Sequence, residues 1–378
     1  MHHDGWRPWL ERWSEEWIDA HDPARDRPLD PDVLAHRWLG FAPAPPERID
    51  AAEARLGRAL PPSFREFLGV TDGWRDAGFF IRRIGGADEI GWLRDMDALW
   101  IDAGPPHVMR RALQISLEGD AAVLFLDPGD VGPDGEWAAY FHASWTDGGP
   151  RRHPSFRALM RDLYAGFHGM RRPPGPTRDA WTEATERARR DALAGEVDGP
   201  LKVLEEADRF GIERARVLRF QMLRLLGGHE LRVAHLLLGQ EPWLADDPIL
   251  EAELLPLLYS EHRRRHRWGA SELELLRDRG PEPIRAAVAR YEARAGRPGH
   301  RTRFGPPEFD KRVRAVLDRL SLTAMDPAWP ALREAMAWWR PVSKHHIAPV
   351  VLFSEPLLAT LITPERGREI LAMPRPGA

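Results

Sequence analysis

The chain has 378 residues, of which 43% are hydrophobic and 30% charged, and its formal net charge is −4. Domains usually contain roughly 100 to 200 residues, so this length predicts two of them. The chain has no cysteine, which excludes disulfides, thiolate metal ligands and a cysteine nucleophile. It has no apolar run of about 18 residues, and its first segment lacks the features of a secretory signal, so we expect a cytoplasmic protein without a membrane span.

The charge is divided unevenly about a proline-rich stretch, RRPPGPTRDA. Residues 1–170 contain 19 arginines and no lysine against 28 acidic residues, a net charge of −9, whereas residues 171–378 carry +5. Because prolines disfavour helix, we predict an N-terminal domain at 1–170 with a helical extension at its start, a linker at 171–178 and a C-terminal domain at 179–378. An acidic domain disfavours direct nucleic-acid binding and favours a basic partner, although solubility alone also explains such a charge.

Tryptophans recur every three or four residues near the start of the chain, at Trp6, Trp9, Trp13 and Trp17. This spacing places them on one helix face, which we expect to lie in the core and not to bind a cofactor or a membrane. Two more helices are predicted within PPERIDAAEARLGRALPPSFREFLGVTDGW. Pro46 suits the start of the first, and Ser63 with Glu66 would form the capping box of the second.

Beyond Gly73 the pattern shortens to strands separated by turn residues. The predicted strands are GFFIRRI, EIGWL, RALQISL, AVLFLD and EWAAYFHA, with a short helix near DMDALWI and a closing helix in SFRALMRDLYAGF. An Asp-Gly pair at 134–135 predicts a hairpin between the last two strands. Asp127, Asp130 and Asp134 invite comparison with a calcium loop, but the spacing of EF-hand ligands is absent, so we expect a structural turn.

One run of residues has a pattern beyond that of two helices: Ile49, Glu53, Leu56, Gly57, Leu60, Pro61, Ser63, Phe64, Phe67, Leu68, Asp72 and Gly73. This run resembles the signature of the Smi/Knr branch of the SUKH superfamily, which contains bacterial toxin-immunity proteins and fungal cell-wall regulators. The later order of strands, hairpin and C-terminal helix is also similar, and the similarity covers about residues 40 to 168. Asp72 and Phe64 stand where the family commonly has Asn and Tyr. The resemblance implies an α+β fold, with a mixed or antiparallel sheet and flanking helices, that binds proteins; bacterial members often neutralise toxins, frequently nucleases.

The C-terminal half alternates apolar helical stripes with Gly or Pro breaks, which predicts an all-α domain. PLKVLEEADRFG and ERARVLRFQMLRLLGG form a helix pair, but no strict 34-residue period is visible, so we expect an irregular array of helix pairs. Trp329, Trp338 and Trp339 lie in the last helices and are expected to pack in the core, with an aromatic binding groove as the alternative.

Motifs for enzymatic chemistry are absent: the sequence contains no GxSxG, P-loop, GxGxxG or HExxH. His262 and His266 would share a helix face, but three arginines lie between and beside them, so a basic helix end is expected in place of a metal site. The adjacent His345 and His346 point to different faces in any regular structure and are expected to be structural or surface residues.

We therefore expect a non-enzymatic protein-binding protein with no metal and no cofactor, whose acidic face docks on a basic toxin domain and covers its active site. An intracellular scaffold or regulator of the Smi/Knr type is the alternative, and an enzyme is the third hypothesis. The expected partner-binding residues combine acids and aromatics after the signature helix: Asp72, Trp74, Asp76, Asp88, Glu89, Asp95, Asp97 and Trp100. Either tryptophan could instead be core, and the sequence does not fix the oligomeric state.

Overall fold

The computed structural model describes residues 5–146, 148–228, 233, 236, 243–264, 271–320 and 328–375. The chain forms two compact units, Met1–Arg178 and Asp179–Ala378. The first combines helices with two small antiparallel sheets, and every regular element described in the second is a helix. The expected α+β class, with a helical C-terminal region, is therefore confirmed.

The first unit has short helices before, between and after its strands. The helices are α1 Trp6–Asp19, α2 Pro31–His36, α3 Pro46–Leu56, α4 Pro62–Leu68, α5 Leu93–Met96, α6 Pro106–Met109 and α7 Phe156–Arg171, with a 3₁₀ segment at Ala98–Ala103. The strands are β1 Trp74–Arg75, β2 Ile81–Ile84, β3 Gly91–Trp92, β4 Leu113–Gln114, β5 Ser116–Gly119, β6 Ala122–Val131, β7 Trp137–Ala143 and β8 Arg151–His153. Neighbouring strands are antiparallel, in the order β1-β2-β5 in one sheet and β3-β4-β6-β7-β8 in the other.

The tryptophan face of α1 packs into the core, as the spacing predicts. Trp6 and Trp13 are buried. The ring of Trp13 lies 5.7 Å from that of Trp74 and 5.0 Å from that of Tyr164. Aromatic pairs at such separations stabilise beyond the area they bury, so these contacts hold α1 against β1 and α7.

The helix α4 begins differently from the sequence prediction. Pro61 is its N-cap residue and Pro62 opens its first turn, so the capping box predicted at Ser63 and Glu66 is wrong. Proline suits this position because its missing N–H would have no partner there and its fixed φ is helical. Ser63 donates instead from its backbone N–H and its Oγ to the carboxylate of Glu136, both at 2.7 Å, which ties α4 to the turn before β7.

The predicted hairpin joins β6 to β7, and its three aspartates all have structural partners. The buried Asp127 accepts two hydrogen bonds from Arg111, at 2.6 and 2.7 Å. Asp130 accepts two from Arg152, at 2.6 and 2.8 Å. Asp134 accepts a bond of 3.2 Å from a backbone N–H two residues later. The structural interpretation of these aspartates is therefore confirmed.

A buried cluster connects α1 and α7 to the first turn of α8, which spans Pro176–Ala194. The Tyr164 hydroxyl and His168 Nε2 (2.9 Å) donate to Glu16 Oε2, and the Thr177 N–H donates to Glu16 Oε1 at 3.0 Å. Burial alone would raise the pKa of Glu16, but the hydrogen bonds from His168 and Tyr164 outweigh it and leave that pKa below its ordinary value. Residues 176–178, predicted as linker, thus begin a helix, because proline fits a helix start.

The second unit begins with the remainder of α8, followed by α9 Asp198–Arg209 and α10 Glu213–Leu225, which pack together as the predicted helix pair. Its other described helical segments are Trp243–Asp246, Leu250–Leu254 (a π-helical turn), Leu255–Arg264, Glu272–Arg279, Glu282–Ala295, Pro307–Leu320, Trp329–Ala335, Met336–Trp338 (3₁₀), Val350–Ser354 (3₁₀), Pro356–Leu361 and Pro364–Leu371. The core role expected for Trp339 is confirmed, whereas the neighbouring Trp338 is 45% exposed. Of the helices described in either unit, none has the length and apolar character needed to span a lipid bilayer.

Candidate functional site

Two of the eight residues expected to bind a partner are structural. Trp74 is 0% exposed, and its ring lies edge-on to that of Trp38 at 5.2 Å, so it belongs to the core and is not an anchor for a partner. Asp72 accepts a 2.7 Å hydrogen bond from the backbone N–H of Ala87 and a 2.8 Å bond from Arg48. One oxygen thus holds the loop before β1 against the loop after β2 and the other bonds to Arg48 of α3, and the expectation that these two residues meet a partner is corrected.

Asp76 is also a poor candidate for a surface charge. It lies just after β1 with φ +51°, a left-handed conformation that Asp and Asn tolerate better than most residues. Desolvation raises the pKa of its carboxyl to about 6, although the charges of His21, Arg75 and Arg82 act in the opposite direction. Asp76 is half-buried, and its raised pKa reflects this partial desolvation.

Three more of the expected residues are exposed but stand beside arginines. The pairs are Asp88 with Arg48 at 3.6 Å, Glu89 with Arg83 at 2.5 Å, and Asp95 with Arg94 at 3.6 Å. Each arginine reduces the negative potential close to its carboxylate. Exposed pairs of this kind contribute little to stability, and Arg48 is shared between Asp88 and Asp72.

The remaining two, Asp97 and Trp100, line a cleft of about 440 Å³. Asp97 caps the 3₁₀ segment Ala98–Ala103 by accepting the Leu99 N–H at 3.3 Å. Trp100 packs against the core cluster that contains Phe125, whereas Leu99 is 88% exposed beside the cleft. The 3₁₀ segment therefore places an apolar side chain, an aromatic ring and a carboxylate along one wall.

The opposite wall comes from β4, from β5 and from the turn that leads into β6. Gln114, Gly119 and Ala121 line it. A Cβ atom at Gly119 would lie 2.0 Å from the carbonyl oxygen of Ala122, so this turn requires glycine. At Gly119 the wall of the cleft is therefore formed by backbone atoms.

One carboxylate lines the cleft, and three more lie next to its lining residues in the chain. Asp97 lines it, and the exposed Asp102, Glu118 and Asp120 each adjoin a lining residue in the chain. Across the described part of the chain, none of these four carboxylates has a Lys, Arg or His within ion-pair distance, and no lining residue is basic. These four carboxylates therefore carry no ion pair in the described structure, although Glu118 lies directly opposite Arg83 in the β2–β5 pairing.

Hydrogen-bond acceptors without partners lie beneath this border. Gln114 lines the cleft and is 7% exposed; its Nε2 donates to the Ser116 carbonyl at 2.8 Å, but its buried Oε1 has no partner among the described residues. His142 Nε2 donates to the Ala103 carbonyl at 2.7 Å, which leaves Nδ1 of the neutral ring as a second acceptor that is buried and unbonded within the described structure. A buried acceptor without a donor costs about 1–3 kcal/mol, so both would gain from a ligand that donates.

Strand pairing places these two acceptors on one sheet face. Gln114 of β4 is directly opposite Phe125 of β6, and His142 of β7 is directly opposite Val123 of β6. Directly paired residues point to the same side, and residues two apart on a strand do as well. The ring of Trp100 lies 5.3 Å from that of His142, so the same face carries the aromatic wall of the cleft.

Sequence reasoning identified Asp97 and Trp100 but missed Gln114, Asp102, Glu118, Asp120 and His142. One signal was present: Gln114 interrupts the apolar run of RALQISL, and a polar residue inside a buried strand needs a partner. The acids at 118 and 120 flank a glycine between two predicted strands, which is a turn pattern without a functional implication of its own. Chemically, the cleft offers acceptors, negative charge and an aromatic ring, a combination suited to a cationic donor.

Three described histidines of the second unit have structural partners. His345 contacts Asp247 at 2.6 Å, and His346 contacts Glu253 at 3.0 Å, with both imidazoles buried. His262 Nδ1 lies 2.8 Å from Ser271 Oγ, while His266 lies outside the described residues. Within the described ranges, no group of three or more His, Cys, Asp or Glu side chains is arranged to hold a metal ion.

No protein-family model matches the chain, and comparisons with curated proteins and with solved structures also gave no match.

Proposed function

We propose that this chain is a non-enzymatic protein-binding protein of the cytoplasm that neutralises a basic toxin domain, of the nuclease type, by docking on it through the acidic cleft of the first unit. The observation that carries the proposal is the cleft bordered by Asp97, Asp102, Glu118 and Asp120, which have no ion-pair partner in the described structure. The net charge of −9 over residues 1–170 supports it, because a nuclease must present positive charge to its own substrate. The SUKH-like residue run supports the same class of function.

The proposed mechanism is steric and electrostatic. The negative field steers a cationic partner into encounter, and the docked domain then covers the partner's active site. Association accelerated in this way falls as salt rises, because screening shortens the range of the field to about 8 Å at physiological ionic strength. The mechanism requires neither a catalytic residue nor a cofactor.

The test assays basic nuclease-type toxin domains, beginning with any that is encoded beside this chain's gene, for nucleic-acid cleavage with increasing amounts of the full-length protein. We expect stoichiometric inhibition, with an association rate that falls as salt rises. Cleavage that continues undiminished in the presence of saturating protein would overturn the immunity function. Binding without inhibition would instead favour the second candidate, a scaffold or regulator, which the presence of two separate compact units supports.

A further inference from the structure

The cleft is built to receive one particular group of a partner. We infer that it binds an arginine side chain, presented by a basic protein, with the guanidinium against Gln114 and Asp97 and over the ring of Trp100. This inference rests on the proposed function, because it names the group through which the basic partner would dock. It concerns a defined set of atoms and is therefore testable without knowing that partner.

The buried amide gives the first argument. Its hydrogen-bond network fixes the orientation of the Gln114 side chain: Nε2 donates to the Ser116 carbonyl, so Oε1 is the atom without a partner. Gln114 itself lines the cleft, and among the buried side-chain atoms of the lining residues Oε1 alone lacks a partner in the described structure. The lining therefore has an unpaired acceptor and no unpaired buried donor. This favours a ligand rich in N–H groups.

Charge and shape give the second argument. Asp97 is the charged residue that lines the cleft, and Asp102, Glu118 and Asp120 adjoin lining residues in the chain and have no ion pair in the described structure. Guanidinium carries five donors in a planar fork and stacks on aromatic rings, whereas ammonium is a compact, strongly hydrated point charge. A cleft that combines an amide acceptor, a carboxylate and an indole therefore suits arginine better than lysine. Leu99 and Val123 provide apolar surface for the aliphatic part of the side chain.

The experiment is an NMR titration of the isotope-labelled full-length protein with three peptides that differ at one position: Gly-Ser-Arg-Ser-Gly and its lysine and citrulline counterparts. The reporters are the Trp100 indole N–H, the Gln114 side-chain amide and the backbone amides of Gly119 and Ala121. We expect the arginine peptide to shift these signals with at least about tenfold tighter binding than the uncharged citrulline peptide, because hydrogen bonds to a charged donor are stronger than neutral ones. The lysine peptide is expected to lie between them.

Matched variants distinguish binding at the cleft from a general effect of the protein's charge. Asp97→Asn keeps a capping side chain but removes the charge, and Gln114→Leu removes the acceptor; each should weaken the arginine peptide about threefold or more. Asp95→Asn, which removes a carboxylate beside Arg94, should change binding less than twofold. If Gln114→Leu does not fold, Asp97→Asn and the citrulline peptide still decide the outcome.

Two results would overturn the inference: equal binding of the arginine and citrulline peptides, or shifts that lie away from the four reporters. If the arginine peptide does not bind the cleft but the protein still inhibits the basic toxin domain, the inference fails and the proposed function stands. If arginine binds as expected but the toxin domain is not inhibited, the site is real and the proposed function fails.

Discussion

The Glu16 cluster and the cleft bordered by Asp97 both place polar side chains inside the first unit, but the two regions differ in how those groups are bonded. In the first, the carboxylate of Glu16 accepts from Tyr164, His168 and the Thr177 backbone. In the second, Gln114 Oε1 has no partner in the described structure. A fully bonded buried network stabilises a fold, whereas an incomplete one costs stability and gains from a group that supplies the missing bond. Trp13 and Trp74 also have buried Nε1 atoms without a partner in the described structure, so an open bond points to a ligand only where, as at Gln114, the residue lines a cleft.

The largest expected effect follows from breaking the complete network. Glu16→Ala should lower the free energy of unfolding by about 3–5 kcal/mol, because it leaves buried donors on Tyr164 and His168 without their acceptor. Chemical denaturation monitored by tryptophan fluorescence measures it. Glu15→Ala, at the exposed neighbouring position, is the control and should change stability by less than about 0.5 kcal/mol. Equal effects of the two variants would contradict the structural role of the cluster.

The same cluster predicts a pH dependence. The pKa of Glu16 lies below its ordinary value of 4.5, so its ionised form stabilises the folded state at higher pH. That contribution is complete above about 4.5 and is lost as the pH falls through the lowered pKa of the folded protein. The stability difference between wild type and Glu16→Gln should therefore shrink when denaturation is repeated at decreasing pH below 4.5. A difference that stays constant with pH would exclude this linkage.

Asp76 should give an effect of the opposite sign. Its pKa is raised to about 6 from an ordinary 3.8, so the ionised form costs stability as the pH rises through this interval. Asp76→Asn should therefore stabilise the protein by about 1–3 kcal/mol at pH 7, since one pKa unit is about 1.4 kcal/mol, and the gain should disappear below pH ~4. Asparagine also tolerates the left-handed backbone at this position. A thermal melt at pH 7 and at pH 4 tests it; destabilisation at pH 7 would contradict it.

The cleft variants should have the smallest effect on stability. Asp102→Asn, Glu118→Gln and Asp120→Asn together should leave the unfolding free energy within about 1 kcal/mol of wild type, because exposed side chains without partners contribute little. Chemical denaturation of this triple variant and of Glu16→Ala under identical conditions compares the two regions directly. A loss comparable to that of Glu16→Ala would show that these acids hold the fold together.

The elements that depend on local pattern were predictable. The helical spacing of the tryptophans in α1 and the Asp-Gly turn of the β6–β7 hairpin are short-range signals, and the structure bears them out. The strands β3 and β4 lie within the predicted strands EIGWL and RALQISL, whereas the two-residue strand β1, the edge strand β8 and the helices α2 and α6 carry too few residues for a periodicity to appear. They form because tertiary contacts stabilise them.

The site was less predictable than the fold because its distinctions arise between distant residues. Asp72 and Asp88 look alike in sequence and both contact Arg48, but Asp72 also accepts from the Ala87 N–H and is largely shielded from solvent. Asp97 and Glu118 adjoin the same cleft only because the 3₁₀ segment and the β5–β6 turn lie side by side. Sequence reasoning placed Trp74 with the acids that follow the signature helix, whereas packing against Trp13 and Trp38 places it in the core.

The claim that unpaired acids at the cleft, and not the total charge, attract the partner is tested most directly by two triple variants with equal change in charge. One is Asp102→Asn, Glu118→Gln and Asp120→Asn; the other is Asp88→Asn, Glu89→Gln and Asp95→Asn. Stopped-flow association with a fluorescent hexa-arginine peptide is measured at physiological ionic strength, where only charges within about 8 Å of the docking site act strongly. We predict that the cleft variant slows association several-fold and the arginine-paired variant less than about twofold. Equal slowing by the two variants would contradict the account.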